Sequence, residues 1–325
     1  MVLTRATLPE RRRPLLRKLL RESRLLRAIE CHDPLSAVIG CNAESGDHGA
    51  MQFDMLWASG FSHATSLGLP DSEMAVLERR IDTVANIAAV TAKPILADAD
   101  TGGDASALLA LCRRLEQIGV GGAVVEDKTG AKRTSLASGV RHELEDPAVF
   151  VHKIEHAKEG LLTADFLLFA RIESLIAGAG FDDAIMRAEQ YLRSAADGVV
   201  IHSKDRTGAE IVAFMKEYGR LQTVLGIEKP LVCIPTAYPH MTGAELRKLG
   251  ASIIIHGNHM IRAAYRGMQL AARSILDHDR SLEANAVCAP VDELLQAIGA
   301  DAPPAATETA EQSEVMTRNE AMRRA

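Results

Sequence analysis

The sequence predicts an α/β fold and, within that class, a (β/α)8 TIM-type barrel. Eight short apolar runs of strand length recur along the 325 residues. Segments with apolar residues at three- and four-residue steps, which are typical of amphipathic helices, lie between them. Alternating strands and helices favour parallel pairing, and eight such units favour a closed barrel. A doubly wound open sheet is the alternative fold.

The predicted elements follow one another in a regular order. Asp33-Pro34, after the first apolar run, indicates a helix start, because Asp caps free backbone N–H groups and Pro suits the first helical turn. Strands are predicted at residues 26–29, 53–57, 94–98, 123–126, 166–171, 198–203, 231–235 and 252–257. Helices between and after them are predicted at residues 105–117, 181–195, 209–218 and 243–249.

The barrel is predicted to lie between two different termini. Residues 1–25 form a basic extension, in which leucines and arginines at 11–21 predict an amphipathic helix packed on the body or on a neighbouring subunit. A contact with an anionic membrane or nucleic acid is the alternative. Residues 26–300 form the catalytic barrel, with a last short helix at Val291–Ile298. The Ala-, Glu- and Thr-rich residues 301–325 are predicted to be disordered.

The composition excludes several classes of protein. A net charge of -6 and a pI near 6.0 argue against a general nucleic-acid binder, which normally carries a basic excess. No apolar run is long enough to span a membrane, and the basic start lacks the apolar stretch of a signal peptide. The five cysteines are scattered without metal-like spacing, which suits reduced thiols. We expect a soluble cytoplasmic protein with no nucleic-acid or membrane partner.

Polar side chains follow the predicted strands at their carboxyl ends. In a barrel these ends converge on one face, where active sites are built. The strand-end residues are Ser59, Asp98, Asp100, Glu126, Arg171, His202 and Asn258. The agreement between separately predicted strands and chemically useful residues predicts an active site at this face.

Three of these residues are candidate metal ligands. Asp98, Asp100 and Glu126 form a carboxylate set suited to Mg²⁺ or Mn²⁺. Asp98 and Asp100 would share a face only if the strand were still regular there. For an Asp-x-Asp pair alone, a solvated turn is the alternative. The Lys- and Arg-containing loop after Glu126 could close over an anionic ligand.

Other residues around the predicted face suit an anion. Gly60 lets backbone N–H groups approach a ligand, and Ser59 adds a hydroxyl, as in an anion nest. Trp57 before them is, by itself, equally a core aromatic. Arg171 follows an apolar strand and needs a partner, which could be Glu173 or a substrate anion. A structural hydrogen bond is the simpler role for a lone strand-end His202.

Two motifs together carry a family resemblance. Ala97-Asp98-Ala99-Asp100-Thr101-Gly102 and the segment from Glu126 to Ser135 resemble the phosphoenolpyruvate mutase/isocitrate lyase superfamily. The similarity extends over residues 27–273 and is greatest to its phosphonopyruvate hydrolase and phosphoenolpyruvate mutase branches. It implies a Mg²⁺-dependent enzyme acting on a small anionic phosphonate or keto acid. It also implies a homodimer or homotetramer with an exchanged C-terminal helix.

The resemblance also implies residue roles. His202 would donate to a phosphonyl oxygen, and the Trp-Ala-Ser-Gly block would hold the pyruvyl end. The implied catalytic residues are Asp71, Lys132, Thr134, Arg171 and His202. The implied substrate-binding residues are Trp57, Ser59, Gly60, Phe61 and Ser135, and the implied metal ligands are Asp98, Asp100 and Glu126.

One loop position separates the activities within the superfamily. Carbon–carbon lyases of this type have Cys in a Lys-Arg-Cys-Gly-His context, whereas this chain has Lys132-Arg133-Thr134. The mutase pattern has Asn at the position of Thr134, and the hydrolase pattern has Thr. The resemblance therefore predicts a phosphonopyruvate hydrolase, with phosphoenolpyruvate mutase as the alternative and a lyase or non-catalytic relative after that.

The chain departs from the family pattern next to the metal site and in the loop. Gly103-Asp104-Ala105 replaces an aromatic-Gly-Asn block, which leaves a different phosphonate or keto-acid substrate open. Gly130-Ala131 replaces Phe-Pro, and glycine increases backbone freedom. We expect the loop at residues 129–139 to open and close over the substrate.

Overall fold

Eight parallel strands close into a single barrel in which each strand pairs with the next and β8 pairs with β1. The computed structural model describes residues 6–22, 25–46, 51–72, 77–130, 134–135, 139 and 141–300. The strands are β1 Leu26–Cys31, β2 Met55–Ala58, β3 Ile95–Asp98, β4 Gly122–Glu126, β5 Leu167–Ile172, β6 Gly198–Ile201, β7 Leu231–Cys233 and β8 Ala251–His256. The predicted barrel is confirmed, and every predicted strand overlaps an observed one.

Helices follow the strands and cover the outside of the barrel. They are α1 Pro9–Arg12, α2 Leu15–Arg21, α3 Pro34–Asn42, α4 Gly60–Ser66, α5 Leu77–Ala89, α6 Ala105–Ile118, α7 Pro147–Glu159, α8 Ser174–Ala177, α9 Phe181–Arg193, α10 Ala209–Leu225, α11 Gly243–Lys248, α12 His259–His278 and α13 Val291–Ile298. A 3-10 helix spans Glu283–Val287. In the described part of the chain, no helix has both the length and the apolar character needed to cross a bilayer.

The predicted helix starts and ends hold in most places. Asp33 caps α3 as expected, because its side chain accepts a hydrogen bond from the Ser36 backbone N–H. In return, the Asp33 backbone N–H donates to the Ser36 hydroxyl oxygen. The predicted helix at 209–218 is too short, because α10 continues to Leu225 and ends only where Gly226 adopts a φ of 64°. Glycine adopts this left-handed conformation without the steric cost that other residues have.

The prediction of one helix at residues 11–21 is wrong, because Pro14 separates two short helices, α1 and α2. Proline lacks the N–H that a continuous helix would use. The segment does pack on the body of the protein. The Arg12 side chain is buried and donates to the carbonyl oxygens of Ala88, Thr91, Ile118 and Gly119. Leu16 is fully buried in the cluster that fills the barrel.

The interior of the barrel shows a two-residue period along each strand. Successive side chains of a strand point to opposite sides, so every second residue faces inwards. The inward apolar cluster includes Ala28, Met55, Leu96, Val124, Phe169, Val200 and Val232. Two residues further along each strand lie Glu30, Trp57, Asp98, Glu126, Arg171, His202 and Ile234. The apolar filling of the barrel therefore gives way to polar groups at its carboxyl-terminal mouth.

Candidate active site

A cavity at the mouth of the barrel contains most of the predicted site residues. This placement follows from the two-residue period, since the last inward-facing residue of several strands is polar. The cavity is lined by Trp57, Ser59, Phe61, Asp71, Asp98, Glu126, Thr134, Ser135, Arg171, His202, Ile234, Thr236, Gly257 and Asn258. Gly60 and Asp100 each donate a backbone N–H to the lining residue Asp98, and Lys132 lies outside the described residues.

Three buried carboxylates meet on one side of this cavity. One oxygen from each of Asp98, Asp100 and Glu126 lies within 4.8 Å of the others. Asp98 ends β3, and the chain then leaves the strand, with Asp100 at a φ of 50°. Positive φ is uncommon for a non-glycine residue. The two aspartates therefore come together through this turn and not through a regular strand.

The predicted anion nest at Ser59 and Gly60 makes hydrogen bonds to groups of the protein itself. The Gly60 N–H donates to Asp98 Oδ2 at 3.1 Å, and the Ser59 hydroxyl caps α4 by accepting from the Ser62 N–H at 3.3 Å. Gly60 thus helps to orient a candidate metal ligand, while Ser59 also lines the cavity. Trp57 packs in the inward apolar cluster, as expected for a core aromatic, and it also lines the cavity.

Two cations that the sequence did not single out stabilise the carboxylate cluster. Arg80 of α5 forms an ion pair with Asp100 and donates to the Asp98 carbonyl oxygen. Lys128 Nζ lies 2.6 Å from Glu126 Oε2, and both side chains are buried. Buried carboxylates need such partners, because the desolvation of an isolated charge costs on the order of several kcal/mol. The three carboxylates, grouped and buried, fit a divalent cation with hard oxygen ligands.

Arg171 is the centre of the second half of the site. Its Nη1 lies 3.2 Å from Glu126 Oε1, and its Nη2 lies 2.5 Å from Glu173 Oε1. Its Nε has no hydrogen-bond partner among the described residues. Burial alone would lower the pKa of Arg171, but the neighbouring carboxylates of Glu173, Glu126 and Asp98 outweigh burial and raise it. Arg171 is therefore a fixed positive charge held by carboxylates on two sides.

His202 lies beside this arginine. Its Nδ1 is 3.0 Å from Arg171 Nη2, and its Nε2 has no partner within the described ranges. Burial lowers the pKa of His202; the Glu173 carboxylate acts in the raising direction, and the Arg171 charge acts against it. The net shift is downward, so the imidazole is neutral at pH 7. A neutral histidine and a charged arginine can bind one oxyanion together.

Comparisons with known proteins identify the family of this chain. Residues 16–276 match the phosphoenolpyruvate phosphomutase family. The chain is 34% identical over 287 residues to phosphonopyruvate hydrolase of Variovorax sp. (strain Pal2), covering 87% of this chain and 93% of that protein. It is also 34% identical over 274 residues to phosphoenolpyruvate phosphomutase of Tetrahymena pyriformis, covering 84% and 86% of the two chains.

The chain belongs to the phosphoenolpyruvate phosphomutase family. This confirms the superfamily predicted from the two motifs. A solved structure of phosphonopyruvate hydrolase in complex with oxalate and Mg²⁺ matches the fold with a TM-score of 0.78 at 32% identity, covering 89% of this chain and 95% of that one. The barrel fold is thus shared with that enzyme.

In this family member, the described part of the loop contacts the site. Ser135 is buried, and its hydroxyl lies 2.7 Å from Glu173 Oε2 and 3.0 Å from both Lys128 Nζ and Arg171 Nη2. Thr134 next to it is half-buried and lines the cavity. Both residues therefore lie where the sequence placed them, at the mouth of the barrel.

Glu30 and Lys128 were not predicted as site residues, and Glu173 was predicted only as a partner of Arg171. Glu30 ends the inward row of β1, where it accepts from the backbone N–H groups of Met260 and Ile261 at the start of α12. Glu173 and Lys128 each follow an inward site residue by two positions, Arg171 and Glu126. Extending the two-residue period beyond the strand ends would have found both.

The residue after Glu126 faces the other way. Asp127 is fully buried outside the barrel wall, where Tyr191 Oη donates to it at 2.7 Å, and the Arg187 guanidinium and the Glu173 N–H donate at 3.2 and 2.8 Å. Burial raises the pKa of Asp127 to about 6, although Arg187 and Tyr191 act to lower it. Asp127 anchors the end of β4 to α9 and takes no part in the cavity.

Proposed function

We propose that this protein is a divalent-metal-dependent hydrolase that cleaves the C–P bond of phosphonopyruvate to give pyruvate and phosphate. The observation that carries the proposal is a cavity in which Asp98 and Glu126, two members of a three-carboxylate cluster, meet buried Arg171 and His202. The carboxylates suit a hard cation, and the arginine and histidine suit an oxyanion. A small substrate with a keto acid at one end and a phosphonate at the other would use both halves.

Asp98, Asp100 and Glu126 would hold Mg²⁺ or Mn²⁺. Mg²⁺ favours carboxylate oxygens and keeps several waters, so three grouped carboxylates leave room for a substrate oxygen. The related phosphonopyruvate hydrolase forms a complex with oxalate and Mg²⁺. When bound, the metal would supply a Lewis acid that polarises the keto-acid end of the substrate.

The protein's own side chains would act on both ends of the substrate. Phosphoryl transfer passes through a loose, charge-rich transition state, so Arg171 and His202 would contribute by positioning and electrostatics at the phosphonyl end. Lys132, by the family resemblance, would add a loop charge there. The oxygen of water bonds to phosphorus as the C–P bond breaks. The bonding electron pair leaves on carbon, which then takes up a proton.

The remaining cavity residues suit the pyruvyl end. Trp57, Ser59 and Phe61 line the same cavity as Asp98 and Glu126, and the Gly60 backbone N–H donates to Asp98. We assign the pyruvyl group to this block, and Ser135 to the substrate side of the loop. Asp71 lines the cavity as well, which supports the catalytic role that the family resemblance implies.

The second candidate function is phosphoenolpyruvate mutase. The two relatives with these activities are both 34% identical to this chain, so overall identity does not separate them. Thr134 favours the hydrolase, because it lines the cavity at the position where the mutase pattern has Asn. If the closed loop excluded water, the enolate oxygen would attack phosphorus, and the product would be phosphoenolpyruvate.

Phosphorus NMR separates the two functions in one experiment. The full-length protein is incubated with phosphonopyruvate and Mg²⁺, and the spectrum is followed with time. We expect the phosphonate signal to be replaced by inorganic phosphate. Accumulation of phosphoenolpyruvate would assign the mutase instead, and an unchanged spectrum would contradict both functions.

We also propose that the protein is a homodimer or homotetramer. Helix α12 exposes several apolar residues to solvent. Their exposed fractions are 58% for Tyr265, 63% for Met268, 43% for Ile275 and 83% for Leu276. Apolar rows of this kind on a helix indicate a protein contact. Light scattering at micromolar concentration is expected to give the mass of a dimer or tetramer, and a monomer mass would contradict the proposal.

A further inference from the structure

Glu173 is the carboxylate that joins the two halves of the site to the loop. It is fully buried, and it lies two residues beyond Arg171 at the mouth of the barrel. Its Oε1 lies 2.5 Å from Arg171 Nη2. Its Oε2 accepts from the Ser135 hydroxyl at 2.7 Å and lies 3.3 Å from Lys128 Nζ. One side chain therefore contacts the anion-binding arginine, the loop and the lysine beside Glu126.

The contact between Arg171 and His202 fixes which nitrogen of His202 carries a proton. A guanidinium group has only donors, so His202 Nδ1, 3.0 Å from Arg171 Nη2, must be the acceptor. A neutral histidine with an accepting Nδ1 carries its proton on Nε2. Nε2 has no partner among the described residues, and His202 lines the cavity. The Nε2–H group is thus available to a ligand oxygen.

The other protonation states of His202 fit these surroundings less well. A proton on Nδ1 would point at the Arg171 donor, or at Glu173 Oε1, which is 3.8 Å away and beyond hydrogen-bond distance. An imidazolium would add a third positive charge beside Arg171 and Lys128. The Nε2–H form therefore depends on Arg171 keeping its present orientation.

Glu173 holds Arg171 in that orientation. Arg171 has carboxylates at two sites, Glu126 at Nη1 and Glu173 at Nη2. Two carboxylates at different nitrogens define the plane of the guanidinium, whereas one alone allows rotation about the remaining contact. Of these two carboxylates, Glu173 is the one that pairs with Nη2, and Nη2 is also the nitrogen that faces His202 and Ser135.

We propose that Glu173 is a positioning residue that fixes His202 as an Nε2–H donor through Arg171 and holds the loop residue Ser135 over the site. Its effect on kinetics rests on the proposed function, whereas its effect on the His202 tautomer does not. The role differs from that of a charge that merely balances Arg171 and Lys128, because it requires a definite geometry at both carboxylate oxygens.

The test is imidazole ¹⁵N NMR of Glu173→Gln without substrate, with His202 assigned by the signal lost in His202→Gln. Glutamine keeps the volume but loses the charge and replaces one accepting oxygen by a donor. In the wild-type protein at pH 7 we expect a protonated Nε2 and an unprotonated Nδ1 on His202. In Glu173→Gln we expect a mixture of tautomers. The matched control is Glu217→Gln, which removes an exposed carboxylate from the pair with Arg220 and leaves the His202 signals unchanged.

Kinetics supply the second readout. We expect Glu173→Gln to lower kcat about 10- to 100-fold, the usual cost of losing a group that orients a ligand-contacting side chain, with less than about a threefold change in KM. Ser135→Ala, which removes only the contact to the loop, should lower kcat less and leave the His202 tautomer unchanged.

Several outcomes would overturn the proposal. An Nδ1–H or imidazolium form of His202 in the wild-type protein would do so even if Glu173→Gln failed to fold. An unchanged tautomer together with unchanged kcat in a folded Glu173→Gln protein would do so as well. If the wild-type protein did not turn over phosphonopyruvate but kept the Nε2–H form and lost it in Glu173→Gln, the proposed function would fail while the positioning role stood.

Discussion

Arg171 and Arg187 are both buried arginines held by carboxylates, but one lies inside the barrel and the other outside its wall. Around Arg187, the contacts to Asp183, Asp127 and the Glu145 carbonyl oxygen are within the protein. In the described residues, no side-chain atom of this outer group is both buried and without a partner. Around Arg171, the buried atoms without a hydrogen-bond partner in the described part of the chain include its own Nε and His202 Nε2.

The difference separates residues whose contacts lie within the protein from residues that we propose to bind the substrate. Glu126 and Asp127 are neighbours in sequence, yet the strand period sends one into the cavity and the other to α9. Buried polar atoms normally have partners, and an exception needs an explanation. Under the proposed function, a substrate oxyanion would be the partner of Arg171 Nε and His202 Nε2, and no ligand is needed to explain the contacts of Arg187.

The largest effect is expected from the carboxylate cluster. Asp98→Ala should abolish turnover of phosphonopyruvate, because it removes a proposed metal ligand at the end of β3. The fold should remain, because Asp98 lies outside both apolar core clusters. Asp183→Ala, in the outer group, is the matched control and should retain turnover. Phosphate release measures activity, and circular dichroism measures folding. Full wild-type turnover in excess chelator would contradict the metal requirement.

The two arginines themselves provide the next test. Arg171→Lys should lower kcat/KM about 100- to 1,000-fold, the range observed when one preorganised donor to a transition-state oxyanion is lost. Lysine keeps the charge but cannot reach Glu126, Glu173 and His202 from a single nitrogen.

Arg187→Lys should show the opposite pattern. It should lower the free energy of unfolding by about 1–3 kcal/mol, because buried acceptors lose donors. Its kcat/KM at a temperature below the melting transition should stay within a few-fold of wild type. Denaturant titrations and steady-state kinetics on both variants make the comparison. If Arg187→Lys lost activity as Arg171→Lys does, the distinction between the two groups would be wrong.

A smaller effect concerns the loop over the Arg171 group. Thr134→Asn should reduce phosphate release several-fold and divert part of the product to phosphoenolpyruvate, because the mutase pattern has Asn at this position. The reason is water access: a larger amide at the cavity wall leaves less room beside phosphorus. Thr223→Asn on the exposed side of α10 is the control. Phosphorus NMR reports both products, and an unchanged product ratio would remove the main support for Thr134 as the discriminator.

The sequence predicted the barrel and the cavity well, because both depend on local periods. Strand spacing and the two-residue period are properties of the chain itself, and they placed Asp98, Glu126, Arg171 and His202 together. The break at Pro14 was not predicted, because the leucine and arginine period continues across a proline that lacks the N–H of a continuous helix. The contacts of Arg80 could not be predicted, since they join α5 to a turn at Asp100 that is distant in sequence.

The smallest effect should come from single hydroxyls of the outer group. Tyr191 Oη donates to the buried Asp127 carboxylate at 2.7 Å, whereas Tyr218 Oη, on α10, donates to the Lys229 carbonyl oxygen at 3.2 Å. Hydrogen bonds to charged groups contribute about 1.5–3 kcal/mol and those between neutral groups about 1 kcal/mol. Tyr191→Phe should therefore lower the free energy of unfolding more than Tyr218→Phe does, although both rings are buried and equally large.

Neither variant should change kcat, because neither hydroxyl reaches the cavity. Equal losses of stability in the two variants would mean that Asp127 is held by Arg187 and the Glu173 N–H alone. A loss of kcat in Tyr191→Phe would show instead that the outer group sets the geometry of Glu173, through the hydrogen bond from its backbone N–H to Asp127.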